Sequence, residues 1–277
     1  MFEDFKPHLI ELRKRLIIAV CILFVVFFIT FACWEFIVTW MIYPIFSTMG
    51  VEQSIAFETS NQTVAEAILN YKMPEQMKNS QFMITTSMFE GIFAVFKVSF
   101  LSAFILSLPL ILWQVWLFVA PGLYEHEKKH IIPFVFFATV MFVLGCAFCY
   151  YVVLPTSFAF AMNFGKNIFV YIPKISEYVD IFVKIMFGFG ISFEFPVVSF
   201  FLAKIGLITD KSLKDFFRYA IVIIFIFAGI ITPPDVISQI LMAIPLLLLY
   251  AFSIAIVRMV NPYKEIDDDL DEENAKT

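Results

Sequence analysis

The chain has 277 residues, of which 61% are hydrophobic and only 16% are charged, and its formal net charge is −5 at pH 7. Ordinary soluble domains carry about 25% charged residues, so this composition excludes a single soluble globular domain. Much of the negative charge lies between Asp267 and Glu273, and no basic surface for nucleic acid is apparent. We therefore expect a protein whose main solvent is a lipid bilayer.

Six stretches are uncharged or nearly so, and a helix needs about 20 such residues to cross a bilayer. In chain order they are residues 16–34, 98–120, 131–154, 185–203, 219–232 and 236–257. The fifth stretch is short, and Pro233 and Pro234 end it, so the last two stretches predict a tight helical hairpin. The sequence thus predicts an all-α, polytopic membrane protein with six transmembrane helices, of which the last two are short.

The distribution of basic residues predicts the orientation of the chain. With six spans, both termini share one side of the membrane, and that side carries 13 of the 19 Lys and Arg residues. Because cytoplasmic loops are enriched in Lys and Arg, we expect both termini to be cytoplasmic. Residues 1–264 are predicted to form the membrane domain, with an extended first outer loop at about 45–86, and residues 265–277 an acidic cytoplasmic tail that is disordered.

Two of the polar residues within predicted spans, Glu194 and Gln239, have alternative interpretations. Glu194 lies near the middle of the fourth span, where a charge costs roughly 2.5–3.5 kcal/mol on insertion scales, and Pro196 should kink the helix beside it. Glu194 is either a functional group facing a cavity or partner, or a protonated carboxyl with a packing role. Gln239 in the last span either bonds to a neighbouring protein helix or makes a bond within the chain.

The segment His126-Glu127-Lys128-Lys129-His130 matches the H-E-x-x-H motif of zinc proteases. Such a site needs a third protein ligand, and the remaining histidine, His8, has no supporting spacing. We therefore predict no metal, no cofactor and no catalytic residue. Glu11 also has a simple interpretation from its segment alone, because Arg15 lies four residues later on the same helix face and can pair with it.

Four motifs in order resemble the TatC family, the subunits of the twin-arginine protein translocase. They are residues 8–16 (HLIELRKRL), residues 114–124 (QVWLFVAPGLY) followed by His126-Glu127-Lys128, residues 192–197 (SFEFPV), and residues 232–235 (TPPD) with Ser238 and Gln239. The resemblance extends from Met1 to about Lys264. The first outer loop is longer than is usual in the family, and Glu125 stands where many relatives carry a basic residue.

The resemblance implies a concave, glove-shaped helical protein in the inner membrane that is not an enzyme. It implies a core receptor that binds twin-arginine signal peptides at the cytoplasmic face. This receptor would nucleate assembly with single-span partners of the TatA and TatB types, and it would export folded proteins with the proton-motive force. Membrane lipid and further copies of the chain, within a larger complex, are the other implied partners.

The resemblance also assigns roles to individual residues. Signal-peptide binding is implied for Glu11, Arg13, Phe118, His126 and Glu127. Glu194 matches the polar residue inside the concavity, with a role in coupling, and Thr232 and Gln239 match the partner-docking face. Structural roles are implied for Pro44, Pro121, Pro196, Pro233, Pro234 and Asp235.

Two other functions remain as alternatives. The first is a proton-coupled secondary transporter of small solutes that uses Glu194, although such proteins usually contain internal repeats and none is visible here. The second is a membrane zinc protease that uses His126, Glu127 and His130.

Overall fold

The computed structural model describes residues 2–48, 83–119, 131–164, 173–232 and 236–261. Its regular elements are helices, which confirms the all-α prediction for this part of the chain. In order they are α1 (Phe2–Ala32), α2 (Trp34–Thr48), α3 (Glu90–Val119), α4 (Ile131–Phe148), a π-helix (Cys149–Val153), α5 (Leu154–Asn163), α6 (Ile175–Phe193), α7 (Phe195–Lys204), α8 (Asp210–Ile231) and α9 (Val236–Val260). The chain divides into two compact units, Met1–Gly190 and Ile191–Thr277, which are described separately.

Within the described part of the chain, five helical stretches are long and apolar enough to cross a membrane, which agrees with the predicted polytopic membrane protein. They are Ile10–Ala32, Glu90–Phe118, Ile132–Asn163, Ile175–Lys204 and Gln239–Val260. The other predicted span, residues 219–232, overlaps the apolar end of α8, whose first three turns carry Asp210, Lys214 and Arg218. The count of six spans therefore stays a prediction. The last two helices were expected to be short, but α8 has 22 residues and the last stretch, Gln239–Val260, also has 22, because both helices continue past the limits of their apolar stretches.

Several helices extend beyond the apolar stretches that they contain. Helix α3 begins at Glu90, before Lys97, and α6 begins at Ile175, before Asp180. Lys97 and Asp180 form an ion pair with each other, so each charge has a partner on the adjoining helix. A charged residue ends an apolar run without ending the helix, because the backbone hydrogen bonds do not depend on the side chain.

The first unit is organised around the long contact of α1 with α3. Phenylalanine rings from both helices meet there, with the centroids of Phe31 and Phe96 4.8 Å apart and those of Phe27 and Phe96 5.7 Å apart. Thr30 of α1 donates a hydrogen bond to the carbonyl oxygen of Ser99 in α3 at 3.0 Å. Aromatic packing and a buried polar link therefore hold these two helices together.

Pro44 lies inside α2, where it has no N–H to donate to the carbonyl of Trp40 one turn earlier. The hydroxyl of Tyr150, in the π-helix, donates to this Trp40 carbonyl at 2.8 Å. The hydroxyl of Tyr178, in α6, donates to the next carbonyl, that of Met41, at 2.5 Å. Two tyrosines thus supply donors beside the proline, and they connect α2 to two other elements. Helix α2 continues to Thr48, slightly beyond the predicted start of the first outer loop, of which residues 49–82 lie outside the described residues.

The buried carboxylate of Glu90 joins the beginnings of α3 and α6. Its Oε2 accepts hydrogen bonds from the backbone N–H groups of Thr86, at 2.7 Å, and Ser87, at 3.2 Å. Its Oε1 accepts from the backbone N–H of Ser176 in the first turn of α6, at 3.2 Å. One acidic group therefore satisfies free N–H groups at two helix ends, where negative charge is also favoured by the helix dipoles.

The second unit contains the hairpin of α8 and α9, on which α7 also packs. Three side chains spaced eleven residues apart donate hydrogen bonds across the hairpin. Gln239 donates to the carbonyl oxygen of Phe225 at 2.8 Å, and Tyr250 donates to the carbonyl oxygen of Leu213 at 2.9 Å. Asn261 donates to the carbonyl oxygen of Ile208 at 3.0 Å. Eleven residues make about three helical turns, so the three donors follow one face of α9. The predicted tight hairpin is thereby held along its whole described length.

Candidate functional site

The first candidate site lies where the charged start of α1 meets the end of α3. The guanidinium of Arg15 lies 3.4 Å from the Glu11 carboxylate, one turn earlier on α1, and 3.5 Å from the side-chain oxygen of Gln114 on α3. The Nε of Arg15 is inaccessible to solvent and has no hydrogen-bond partner among the described residues. The pairing of Glu11 with Arg15 that the helical spacing predicts is therefore present, and Gln114 is added to it.

The surroundings of this pair are partly described. Arg13 is exposed, and Phe118, half-buried, lies one turn after Gln114 on the same face of α3. Trp116, which lies between Gln114 and Phe118 in sequence, is buried. Its ring packs edge-on against the ring of Phe134, with the two centroids 4.3 Å apart. The structure thus links the Glu11–Arg15 pair to α3 through Gln114. Residues Pro121, His126 and Glu127 lie outside the described residues.

Glu194 lies at the interruption between α6 and α7, which is the break predicted from Pro196. Its backbone N–H bonds to the carbonyl of Ile191 at 3.1 Å, a tighter turn than that of an α-helix, and α7 then starts with Pro196 in its first turn. The Oε1 of Glu194 is buried without a hydrogen-bond partner among the described residues. A buried polar atom of this kind is costly, and both predicted explanations of Glu194, a functional group and a protonated carboxyl with a packing role, stay predictions.

Thr232 and Gln239 both make hydrogen bonds within the hairpin. The Thr232 hydroxyl donates to the carbonyl of Ala228 at 2.9 Å, and the amide nitrogen of Gln239 donates to Phe225. Gly229 makes room for this amide, because a Cβ at that position would lie 3.0 Å from the Gln239 Nε2. The bond of Gln239 within the chain, one of its two predicted alternatives, is therefore present, and the amide retains further hydrogen-bonding capacity.

The residues with implied structural roles are placed only in part. Pro44 is buried within α2, and Pro196 is buried at the start of α7. Pro233, Pro234 and Asp235 lie outside the described residues. Among the residues that are described, no cluster of three or more His, Cys, Asp or Glu could hold a metal ion. The His126–His130 motif falls outside them, so the prediction of no metal stays a prediction.

The sequence interpretation missed Gln114, Tyr150 and Tyr178 as single residues. Gln114 had a local signal, since it is a polar side chain in the otherwise apolar run of α3. The two tyrosines had none, because their partners lie 110 and 137 residues away along the chain.

Comparison with known proteins identifies the family. A family model described as "Sec-independent protein translocase protein (TatC)" matches residues 7–245. The chain is 46% identical to the Sec-independent protein translocase protein TatC of Helicobacter pylori strain J99 over 276 residues, which cover 99% of this chain and 96% of that protein. It is 46% identical to the protein of the same name from Campylobacter jejuni over 263 residues, 95% of this chain and 96% of the relative.

A solved structure described as the crystal structure of the twin arginine translocase receptor TatC matches with a TM-score of 0.74 at 34% identity, over 91% of this chain and 99% of that chain. This match supports the all-α membrane fold, and the family is a component of protein transport rather than an enzyme. Because the family model covers most of the chain and the relatives align almost from end to end, the chain belongs to the TatC family of Sec-independent protein translocase proteins, which are multi-pass proteins of the inner membrane.

Proposed function

We propose that this chain is the core receptor subunit of a twin-arginine translocase, and that it binds the twin arginines of signal peptides through Glu11 and Glu127. The observation that supports this most directly is the Arg15–Glu11 pair, in which a guanidinium already contacts the partly exposed Glu11 carboxylate. Carboxylates accept the planar guanidinium fork with two hydrogen bonds, whereas a lysine ammonium provides no such fork.

The neighbouring residues suit the rest of such a peptide. Arg13, Phe118 and His126 are proposed to flank the twin arginines. Beyond Arg15, α1 exposes a row of apolar side chains, among them Leu16, Ile17 and Val20. The apolar segment of a signal peptide would lie along such a surface while remaining in contact with lipid.

Binding of a twin-arginine signal peptide to the purified chain tests this site. Glu11→Gln and Glu127→Gln keep the side-chain shape and remove the charge, and each should weaken binding by roughly ten- to a hundredfold, as expected for hydrogen bonds to charged groups. A twin-lysine peptide should also bind more weakly. Glu35→Gln, an exposed carboxylate at the start of α2, is the matched control. Wild-type affinity in both Glu11→Gln and Glu127→Gln would refute the proposed site.

Assembly with single-span partners of the TatA and TatB types is proposed to involve Thr232 and Gln239. Both side chains keep acceptor capacity beyond the bonds that they make within the hairpin. Gln239→Ala should therefore reduce co-purification of a single-span partner while the chain still binds the signal peptide. Unchanged co-purification would argue against this docking face.

The orientation of the chain is proposed to place both termini in the cytoplasm, with the proton-motive force driving transport of folded cargo. The excess of Lys and Arg on the predicted inner side supports the orientation. Asn61→Cys and Lys166→Cys, each in a cysteine-free background, should react with a membrane-impermeant thiol reagent added from outside. Reaction only after the inner face is opened would contradict this topology.

A further inference from the structure

Arg15 contacts two hydrogen-bond acceptors on two helices, and both contacts are long. Hydrogen bonds from a guanidinium to a carboxylate are usually about 2.7–2.9 Å long and often paired. The contacts of Arg15 with Glu11 at 3.4 Å and with Gln114 at 3.5 Å are both longer than this. The buried Nε of Arg15 has no hydrogen-bond partner among the described residues. Such a group can exchange its partners at little energetic cost.

The group that occupies Glu11 in the structure is chemically the group that a twin-arginine peptide would bring. A signal arginine that pairs with Glu11 must therefore take the place of Arg15. We propose that Arg15 is a resident guanidinium that occupies Glu11 while no signal peptide is bound, that a signal arginine displaces it, and that Gln114 holds the displaced side chain. This inference rests on the proposed function and concerns the regulation of the same site.

A resident competitor keeps signal binding reversible. The affinity for the peptide then depends on the difference in free energy between two similar pairs, the signal arginine with Glu11 and Arg15 with Glu11. It does not depend on the full free energy of the first pair alone. Returning Arg15 to Glu11 also favours release of the peptide, which a receptor needs after each round. Gln114 lowers the barrier to this exchange because it gives the displaced cation an acceptor in a region that is only partly exposed.

The test measures affinity and dissociation rate of a twin-arginine signal peptide on the full chain in lipid nanodiscs. Arg15→Gln should tighten binding by about two- to fivefold, the range of a partly exposed ion pair, and should slow dissociation. Gln114→Leu should weaken binding by a similar factor, because the displaced guanidinium loses its second acceptor. In the Arg15→Gln background, Gln114→Leu should have no further effect.

Removal of any positive charge near a cationic ligand also tightens binding, and a control must measure that effect. Lys14→Gln removes the same charge from the exposed neighbouring position. The effect of Arg15→Gln should exceed that of Lys14→Gln, and the excess should vanish when Glu11 is replaced by Gln. If Arg15→Gln does not fold, Arg15→Lys keeps the charge and loses the fork, and it should tighten binding by a smaller factor.

The outcomes separate this inference from the proposed function. If Glu11→Gln keeps wild-type affinity for the peptide, the assignment of Glu11 to the binding site fails. A second outcome overturns the resident-guanidinium inference alone. In that outcome Glu11→Gln weakens peptide binding, but Arg15→Gln either weakens peptide binding or tightens it no more than Lys14→Gln does.

Discussion

The hydroxyl of Tyr150 donates a hydrogen bond to the backbone carbonyl oxygen of Trp40 at 2.8 Å, and the rings of the two residues stack in parallel with centroids 4.6 Å apart. The carbonyl of Trp40 is the one to which residue 44 would donate in an uninterrupted helix, and residue 44 is proline. A side chain from the π-helix therefore replaces the missing backbone donor.

Tyr150→Phe should lower the free energy of unfolding by about 1–2 kcal/mol, because it keeps the ring stacking and leaves the Trp40 carbonyl without this donor. Tyr151→Phe, at the exposed neighbouring position, should change stability little. Denaturant unfolding in detergent measures both. In a Pro44→Ala background, residue 44 regains an N–H that can bond to Trp40, so Tyr150→Phe should be less destabilising there. Equal effects in the two backgrounds would show that the hydroxyl does not act by replacing the proline donor.

Glu90→Gln should lower the melting temperature of the chain. The carboxylate accepts hydrogen bonds on both oxygens, whereas the amide has one oxygen and a nitrogen that would face an N–H of either Ser87 or Ser176. One of the two helix starts would then lose its acceptor. Glu177→Gln, an exposed acid in the first turn of α6, changes the same charge without this geometry and is the control. Equal melting temperatures for the two variants would show that Glu90 stabilises the chain only through its charge at a helix end, and not by accepting hydrogen bonds on both oxygens.

Gly229→Ala should disturb the position of Gln239 while leaving overall stability within about 1 kcal/mol of wild type. The new Cβ would lie 3.0 Å from the Gln239 Nε2, so the amide must shift, but alanine is about 1 kcal/mol more favourable than glycine inside a helix. We expect weaker co-purification of single-span partners. Gly91→Ala, where nothing lies within 4 Å of the new Cβ, should leave co-purification unchanged. A Gly229→Ala chain with normal partner binding would show that the placement of Gln239 tolerates this shift.

Glu194→Ala should abolish export and leave signal-peptide affinity near wild type. Glu194 lies at the helix interruption within the predicted fourth span, too deep to meet arginines that stay at the membrane surface. Glu194→Gln keeps a hydrogen-bonding group and removes the titratable one, so it separates the two roles. Export assays and peptide binding on the same folded variants measure this. Full export by Glu194→Ala would reduce the residue to a packing role.

Hydropathy predicted where the chain crosses lipid but not where its helices begin. The charges of Lys97 and Lys184 set the starts of two predicted spans, yet the helices begin earlier, at Glu90 and Ile175, because backbone hydrogen bonds do not depend on the side chain. Continuation of α2 through Pro44 was equally hidden, since Tyr150 and Tyr178 come from distant segments. Local patterns do not contain such long-range partners.

In the candidate site, contacts between residues close in sequence were predictable, and contacts between distant residues were not. The Glu11–Arg15 pair follows from helical spacing, and the break before Pro196 follows from the chemistry of proline. The contact of Arg15 with Gln114 joins residues 99 positions apart and requires knowledge of how α1 packs on α3. The resemblance to the family supplied the remaining site residues, and their roles stay predictions.

The eleven-residue recurrence of Gln239, Tyr250 and Asn261 fixes the register of the hairpin. If α9 slid along α8 by one turn, about 5.4 Å, all three side chains would lose their carbonyl acceptors together, and no partial slide would preserve them. Small shearing steps between α8 and α9 are therefore disfavoured, and the pair should tilt as a single stiff lever. A displacement applied where Gln239 lies would then be transmitted along the pair to the opposite end, at Asn261.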